Sequence, residues 1–467
     1  MPVPDLFLAM MKEEWRIHST IFGSVGFALF PVVVAVFAFA GSLTLPIFSD
    51  TLPYTTMALL ALLLFLLAGV MVGSFGTMGR EFMNRRFGQA SLVAYASRSL
   101  PVSERRIFAT FLVKDTVYYI LLYVLPFAAG FTAATPFISL DPGLGLLAFV
   151  SLALAFLMGL AIVCLLSTLY ARSVRLLAGT VVILVVAGLF ALHLGAAPVF
   201  PAYAFLLDPS PVPFVLSLIL ILVPAAASVL LVTVDYPDRT KRFENRFDPL
   251  AERLRPLGSA HFIAKDALDL LRSEGGAGKV VFSFLLPLGL VWVCLRILVR
   301  FIPGIDPLVV FAVLIGVLSA TIYNWLTEFD SFSVYAALPV EVSKVIDGKL
   351  KSYALLNLLP VAVLVLAAAT SGGAGALFPA LAAFLSVSAY TLAVTVYLTG
   401  LYPNVMLYHA WVFLRYVLAT SPVLLLLIFI SILDPYYAFG SLLLLVPAAF
   451  LLARGRTRWQ AWEMPGY

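Results

Sequence analysis

The chain carries few residues whose type and spacing could do chemistry. Its four histidines, His18, His193, His261 and His409, are scattered, and no HExxH or paired-carboxylate spacing accompanies them. Its two cysteines, Cys164 and Cys294, lie far apart inside apolar runs, a pattern of buried structural thiols and not of a disulfide framework or zinc site. The string GGAGKV around Lys279 resembles a phosphate-binding loop only superficially. A Walker loop needs Gly five residues before its second Gly, and Ser or Thr after its Lys, to cradle phosphate and ligate magnesium. Here those places hold Ser273 and Val280. The sequence therefore predicts no catalytic residue, no bound cofactor and no metal site. If nucleotide energy drives this protein, ATP and magnesium sit on a separate subunit.

Charge is also missing where a gradient-driven carrier would need it. Asp, Glu, Lys and Arg are absent from Ser352 to Leu414, and between Thr116 and Ala171 only Asp141 appears. Ionisable groups inside a membrane are costly and mark proton relays and ion sites, so their scarcity argues against proton or sodium coupling. Asn324 and Asn357 are read as hydrogen-bonding groups between helices.

The elements that must position these residues follow from composition. Of 467 residues 63% are hydrophobic and 11% charged, far from the roughly 45–50% and 25% of soluble domains. Twelve stretches approach the roughly 20 apolar residues that span a bilayer: 20–41, 54–75, 113–134, 145–171, 175–196, 212–234, 280–301, 307–327, 352–371, 375–400, 413–432 and 437–453. The N-terminal segment has Lys12, Glu13, Glu14 and Arg16 where a secretory signal would be apolar, so the first stretch reads as a retained span. With the N-terminus inside, 27 of the 29 Lys and Arg fall on cytoplasmic segments, and only Arg296 and Arg300 do not. Both termini are expected in the cytoplasm. The outward loops are short, and Trp459 and Trp462 are expected to anchor the tail at the interface.

The two halves echo one another. FLAMMKEEWR from Phe7 recurs as FIAKDALDLLR from Phe262. AYASRSLPVSERR, followed by Lys114 and Pro126, recurs as VYAALPVEVSK, followed by Lys349 and Pro360. LYARSV at Leu169 recurs as LYPNV at Leu401. The matches keep their order at shifts of 255, 238 and 232 residues. Six spans per copy put both copies in the same orientation, a parallel repeat. The expected fold is an all-α polytopic membrane protein with two parallel six-span repeats. Residues 1–234 form the first half, with an amphipathic N-terminal helix. Residues 235–261 form a charged cytoplasmic connector, and 262–467 form the second half with its own amphipathic lead-in helix and a short tail. Both lead-in helices are expected to lie along the membrane surface.

The cytoplasmic segments between the second and third spans, and between the eighth and ninth, are the most distinctive. Pro101 and Pro339 suit the first turn of a helix, and Glu104 and Glu341 suit its positive end. Ordinary helix capping in a basic loop accounts for these residues equally well. A Glu-Phe pair, an apolar stretch, LPVS or LPVE, then Gly-Lys or Lys before the next span resembles the permease subunit of ATP-binding cassette exporters of the type 2 class. The second copy, TEFDSFSVYAALPVEVSKVIDGK, is the closer match. The first has an insertion between Glu81 and Leu100, and Val113-Lys114 in place of Gly-Lys.

The resemblance implies a fused pair of permease halves in the cell membrane, moving a hydrophobic or amphipathic substrate outward. It implies two cytoplasmic ATPase subunits as partners beside the lipid bilayer, with no nucleic acid bound. Their docking would fall on Glu81, Arg85, Arg86, Leu100, Pro101 and Arg105 in the first half, and on Glu328, Leu338, Pro339, Glu341, Lys344 and Lys349 in the second. The alternative is a twelve-span secondary carrier of the major facilitator type, which shares the layout; RRFGQ at Arg85 echoes its short basic loop but lacks the Asp.

Overall fold

A computed structural model describes residues 3–22, 28–49, 52–77, 102–173, 175–180, 200–232, 244–272, 280, 284–299, 305–328, 340–371, 373–407 and 410–460. These residues are helical, with no strand among them. Ten of the helical stretches are long and apolar enough to cross a bilayer, and the chain is a multi-pass membrane protein. The expected seventh span appears as the shorter apolar helix Leu286–Leu298. Most of the expected fifth span lies outside the described residues. The chain divides into two compact units, one of Met1–Asp238 with Gly278–Leu290, the other of Arg239–Ala277 with Val291–Tyr467.

The first unit contains α1 (Val3–Phe22), α2 (Phe30–Leu43), α3 (Tyr54–Thr77), α4 (Glu104–Tyr119), α5 (Leu125–Ala134), α6 (Leu144–Arg172), α7 (Pro201–Leu207) and α8 (Pro211–Leu231). Proline opens α2, α7 and α8, where a missing N–H leaves no hydrogen bond unmade. A π-turn at Ile120–Val124, just before Pro126, joins α4 to α5 as one long helix. At the centre α6 packs on α3 and α8. Small residues let these backbones close, because apolar helices in lipid associate by packing and not by escape from water. A Cβ added at Gly69 would lie 2.0 Å from the carbonyl oxygen of Phe156, and one at Gly159 would lie 2.1 Å from that of Leu66.

The second unit contains α9 (Phe247–Leu254) and α10 (Ala260–Arg272); the division between the units passes within α11 (Leu286–Leu298). Then follow α12 (Pro307–Leu318), α13 (Ala320–Glu328), α14 (Val342–Leu356), α15 (Leu358–Ser371), α16 (Leu377–Thr399), α17 (Ala410–Leu433) and α18 (Leu445–Gln460). Asp306 caps α12, accepting from the backbone N–H groups of Leu308 and Val309 at 2.8 and 3.2 Å. Here α16 is central and packs on α12 and α18. Trp459 is buried and donates from Nε1 to the carbonyl of Val396 at 2.9 Å. Gly400, at φ +57°, leaves room for its ring, which a Cβ would approach to 2.5 Å. Trp459 is thus a packing residue of the second unit and not the interfacial anchor expected of it; Trp462 lies outside the described residues.

Two of these helices are longer than a membrane needs. Arg105–Ile138 covers 34 residues and Val342–Ser371 covers 30. At about 1.5 Å per residue these measure roughly 51 and 45 Å, against about 30 Å of hydrocarbon. In each unit the N-terminal part of the long helix is a foot on which a lead-in helix packs: α1 on α4, and α10 on α14. The apolar face of α10, through Ile263, Ala264, Leu268 and Leu270, is buried within its own unit, while Leu271 stays exposed.

Candidate functional site

Each lead-in helix carries an acid in line with its buried stripe. On α1, Leu6, Met10 and Glu14 recur every fourth residue, the spacing of one helix face. On α10, Ile263, Asp266 and Leu270 recur at three and four. Facing them, the feet carry lysines on buried stripes of their own, Thr110–Lys114–Tyr118 on α4 and Val345–Lys349–Ser352 on α14.

The pairs meet. Lys114 Nζ lies 2.7 Å from Glu14 Oε2 and 2.5 Å from Asp115 Oδ1, and 4.6 Å from the centre of the Phe111 ring. The lysine side chain is 3% exposed, Asp115 7% and Glu14 18%. Lys349 Nζ is bound to Asp266 Oδ1 and donates to the carbonyl of Leu326 at 2.6 Å. The second oxygen of Asp266 accepts from Ser352 Oγ at 2.6 Å. Lys349 and Asp266 are 1% and 2% exposed. Separating two charges from water is expensive unless they neutralise each other and their remaining hydrogen-bonding positions are filled. In the second clasp the two charges meet, and the Leu326 carbonyl and the Ser352 hydroxyl take up further hydrogen-bonding positions. The first holds two carboxylates to one ammonium.

Gly348, beside Lys349, has a packing reason. A Cβ there would come within 2.6 Å of the Phe262 Cβ, so the glycine lets α14 approach α10 closely enough for the lysine to reach Asp266. The first unit has Val113 at this place, 54% exposed, with no such approach to make.

Of the residues predicted to contact a partner, Glu81, Arg85, Arg86, Leu100, Pro101, Leu338 and Pro339 lie outside the described residues. Arg105 is exposed on the first turn of α4. Glu328 closes α13. Glu341 occupies the N-cap of α14 without capping through its side chain; instead it faces Lys344 at 3.6 Å, both more than half exposed. Lys349 presents no surface, because its charge is taken up inside. Sequence reasoning marked Lys114 and Lys349 as signposts of the repeat but missed Glu14, Asp115, Asp266 and Ser352 as their partners.

The rest of the second unit ties into the same foot. Arg456 on α18 approaches Asp347 Oδ1 at 2.6 Å, in ionic contact without the alignment of a hydrogen bond. Asn357, at the break between α14 and α15, donates to the carbonyl of Tyr353 at 2.9 Å and accepts from Ser388 of α16 at 3.4 Å, the link between helices expected of it. Among the described residues no group of three or more His, Cys, Asp or Glu could hold a metal ion. The arrangement can fix helices against one another. No family model, curated protein or solved structure matches the chain.

Proposed function

We propose that this protein is the membrane-spanning permease of an ATP-driven exporter of the type 2 class, built in tandem from two six-span halves and resident in the plasma membrane. The carrying observation is that the two units share one scheme of helix pairing. In each, a lead-in helix is clasped to the foot of the third span by a buried lysine, and the fourth span packs between the second and the sixth. That sharing supports a duplicated unit. The length of these helices beyond what a bilayer needs supports a start of α4 and of α14 outside the hydrocarbon, where separate ATPase subunits dock and where ATP and magnesium act. The substrate is hydrophobic or amphipathic, passing between apolar helices.

The test is affinity purification of the full chain from native membranes, with identification of an ATP-hydrolysing subunit in stoichiometric amount. Substituting both exposed residues, Glu341→Ala with Lys344→Ala, is expected to reduce that capture at least about tenfold while leaving folding unchanged, since exposed ion pairs contribute little stability. Capture by the double variant at the wild-type level would remove the second docking surface from the proposal.

A second reading, a proton-linked secondary carrier of the major facilitator type, has one observation in its favour. The two carboxylates that meet at Lys114 are the sort of buried ionisable groups on which proton-linked carriers depend. Uphill substrate movement in vesicles holding the purified chain alone, driven by an imposed proton gradient, would decide for it.

A further inference from the structure

We propose that Lys349 is the positioning residue of the second cytoplasmic segment, one ammonium that holds three helices together so that Glu328 and the Glu341–Lys344 pair are presented at a fixed spacing. This deepens the exporter reading and rests on it for the identity of the partner. The geometry is local to the second unit. Lys349 donates to the carbonyl of Leu326, two residues before the end of α13, where the chain leaves the second span of this half. It is paired with Asp266 on the lead-in helix α10, and it belongs to α14, where the chain returns toward the membrane. Both flanks of the segment between Glu328 and Val340 are therefore tied to the same charge.

The surroundings make the tie specific. Asp266 is held from its other oxygen by Ser352, one turn further along α14, so the carboxylate cannot swing away from the lysine without breaking a second hydrogen bond. Gly348 gives the close approach to Phe262 that sets the separation of α10 and α14. The Gly-Lys pair thus has a physical division of labour, with the glycine setting a distance and the lysine using it. A lysine placed only to support α14 would have no need of the α13 carbonyl, which an intrahelical donor or water could satisfy.

The experiment is amide hydrogen exchange on the full chain in lipid nanodiscs, which reports local opening segment by segment. Removing one partner of a buried pair is strongly destabilising where it is felt, so Lys349→Met is expected to speed exchange at least about tenfold in three separated stretches. These are Ala260–Arg272, the end of α13 at Leu326–Glu328, and Val342–Leu356. The central helix α16 should be unchanged, and the exchanged pair Lys349→Asp with Asp266→Lys should restore part of the protection. A rise confined to α14, or one spread equally through α16, would overturn the proposal. If Lys349→Met does not yield a monodisperse protein, Asp266→Asn carries the same measurement with the same outcomes.

A second measurement separates positioning from support. With the ATP-hydrolysing subunit captured by the wild-type chain, Lys349→Met is expected to bind it and lose the stimulation of ATP hydrolysis. Full stimulation in that variant would count against positioning. If no such subunit is captured with the wild-type chain, the exporter reading falls by itself, and the exchange pattern alone decides whether Lys349 holds the three helices.

Discussion

The two lysine clasps use the same parts in different proportions. In the second unit the lysine meets an aspartate and a backbone carbonyl, a serine holds the aspartate's other oxygen, and both charged side chains are buried. In the first, one lysine meets two carboxylates, one its own neighbour in sequence, and Glu14 keeps partial access to solvent. The second clasp is sealed from solvent, at 1% and 2% exposure, whereas the first leaves Glu14 18% exposed. A pair closed off from water is costly to break from one side, whereas solvent can compensate in part for one whose carboxylate reaches it. The two halves should therefore respond to equivalent substitutions very differently.

The largest effect is expected at Lys349. Replacing it by Met takes the ammonium away from a buried Asp266, and breaking a buried pair from one side costs about 3–5 kcal/mol. Asp266→Asn keeps a polar group against Ser352 but strips the lysine of its counter-ion, for an expected loss of about 2 kcal/mol. Both are measured as shifts in denaturant-induced unfolding of the purified chain in lipid. The double replacement Lys349→Met with Asp266→Leu should return to within about 1 kcal/mol of wild type, because well-packed apolar residues can replace a buried pair without loss. If the double variant is as unstable as Lys349→Met alone, the pairing is not the source of the effect.

A smaller loss is expected at Gly348. An alanine methyl there must displace the Phe262 side chain of α10, and overpacking of this kind costs about 1–3 kcal/mol. The equivalent place in the first unit already holds Val113, exposed, so Val113→Ala should change stability by less than about 0.5 kcal/mol. Equal losses at the two positions would mean that the units do not differ in how closely their lead-in helices approach.

Much of this architecture was legible in the sequence, and the illegible parts have a common cause. The apolar runs gave ten helices near their expected places, since length and hydropathy are local properties. The lead-in helices were visible as amphipathic segments, but the expectation that they lie on the membrane surface took their apolar faces to be unpartnered. In α10 that face is buried within its own unit. Glu14, Lys114, Asp266 and Lys349 all stood in quoted segments, yet a charge on an amphipathic helix is normally read as belonging to the polar face. Glu14 and Asp266 lie in register with the buried stripe instead, at four residues from Met10 and three from Ile263. A charge that breaks the apolar stripe of one helix, together with a second such break of opposite sign on another, is the signal that was available. Lys349 was assigned to a docking surface because its Gly-Lys setting carried the family resemblance, and only the fold places it inside.

The smallest effect, and the one that most sharpens the contrast, is expected at Glu14. Glu14→Gln removes one of two carboxylates around Lys114 and leaves Asp115 to balance it; the amide can still accept from the ammonium, and it keeps access to water. Its loss should be under about 1 kcal/mol, in the range of a partly exposed ion pair, against the larger loss at Asp266. If Glu14→Gln is instead as costly as Asp266→Asn, then Asp115 is not balancing Lys114, and the first clasp is a one-to-one pair like the second. If it proves slightly stabilising, the two carboxylates around Lys114 repel one another at a cost to the fold. The second carboxylate would then be a feature kept for function, and the first unit the place to look for proton-linked behaviour.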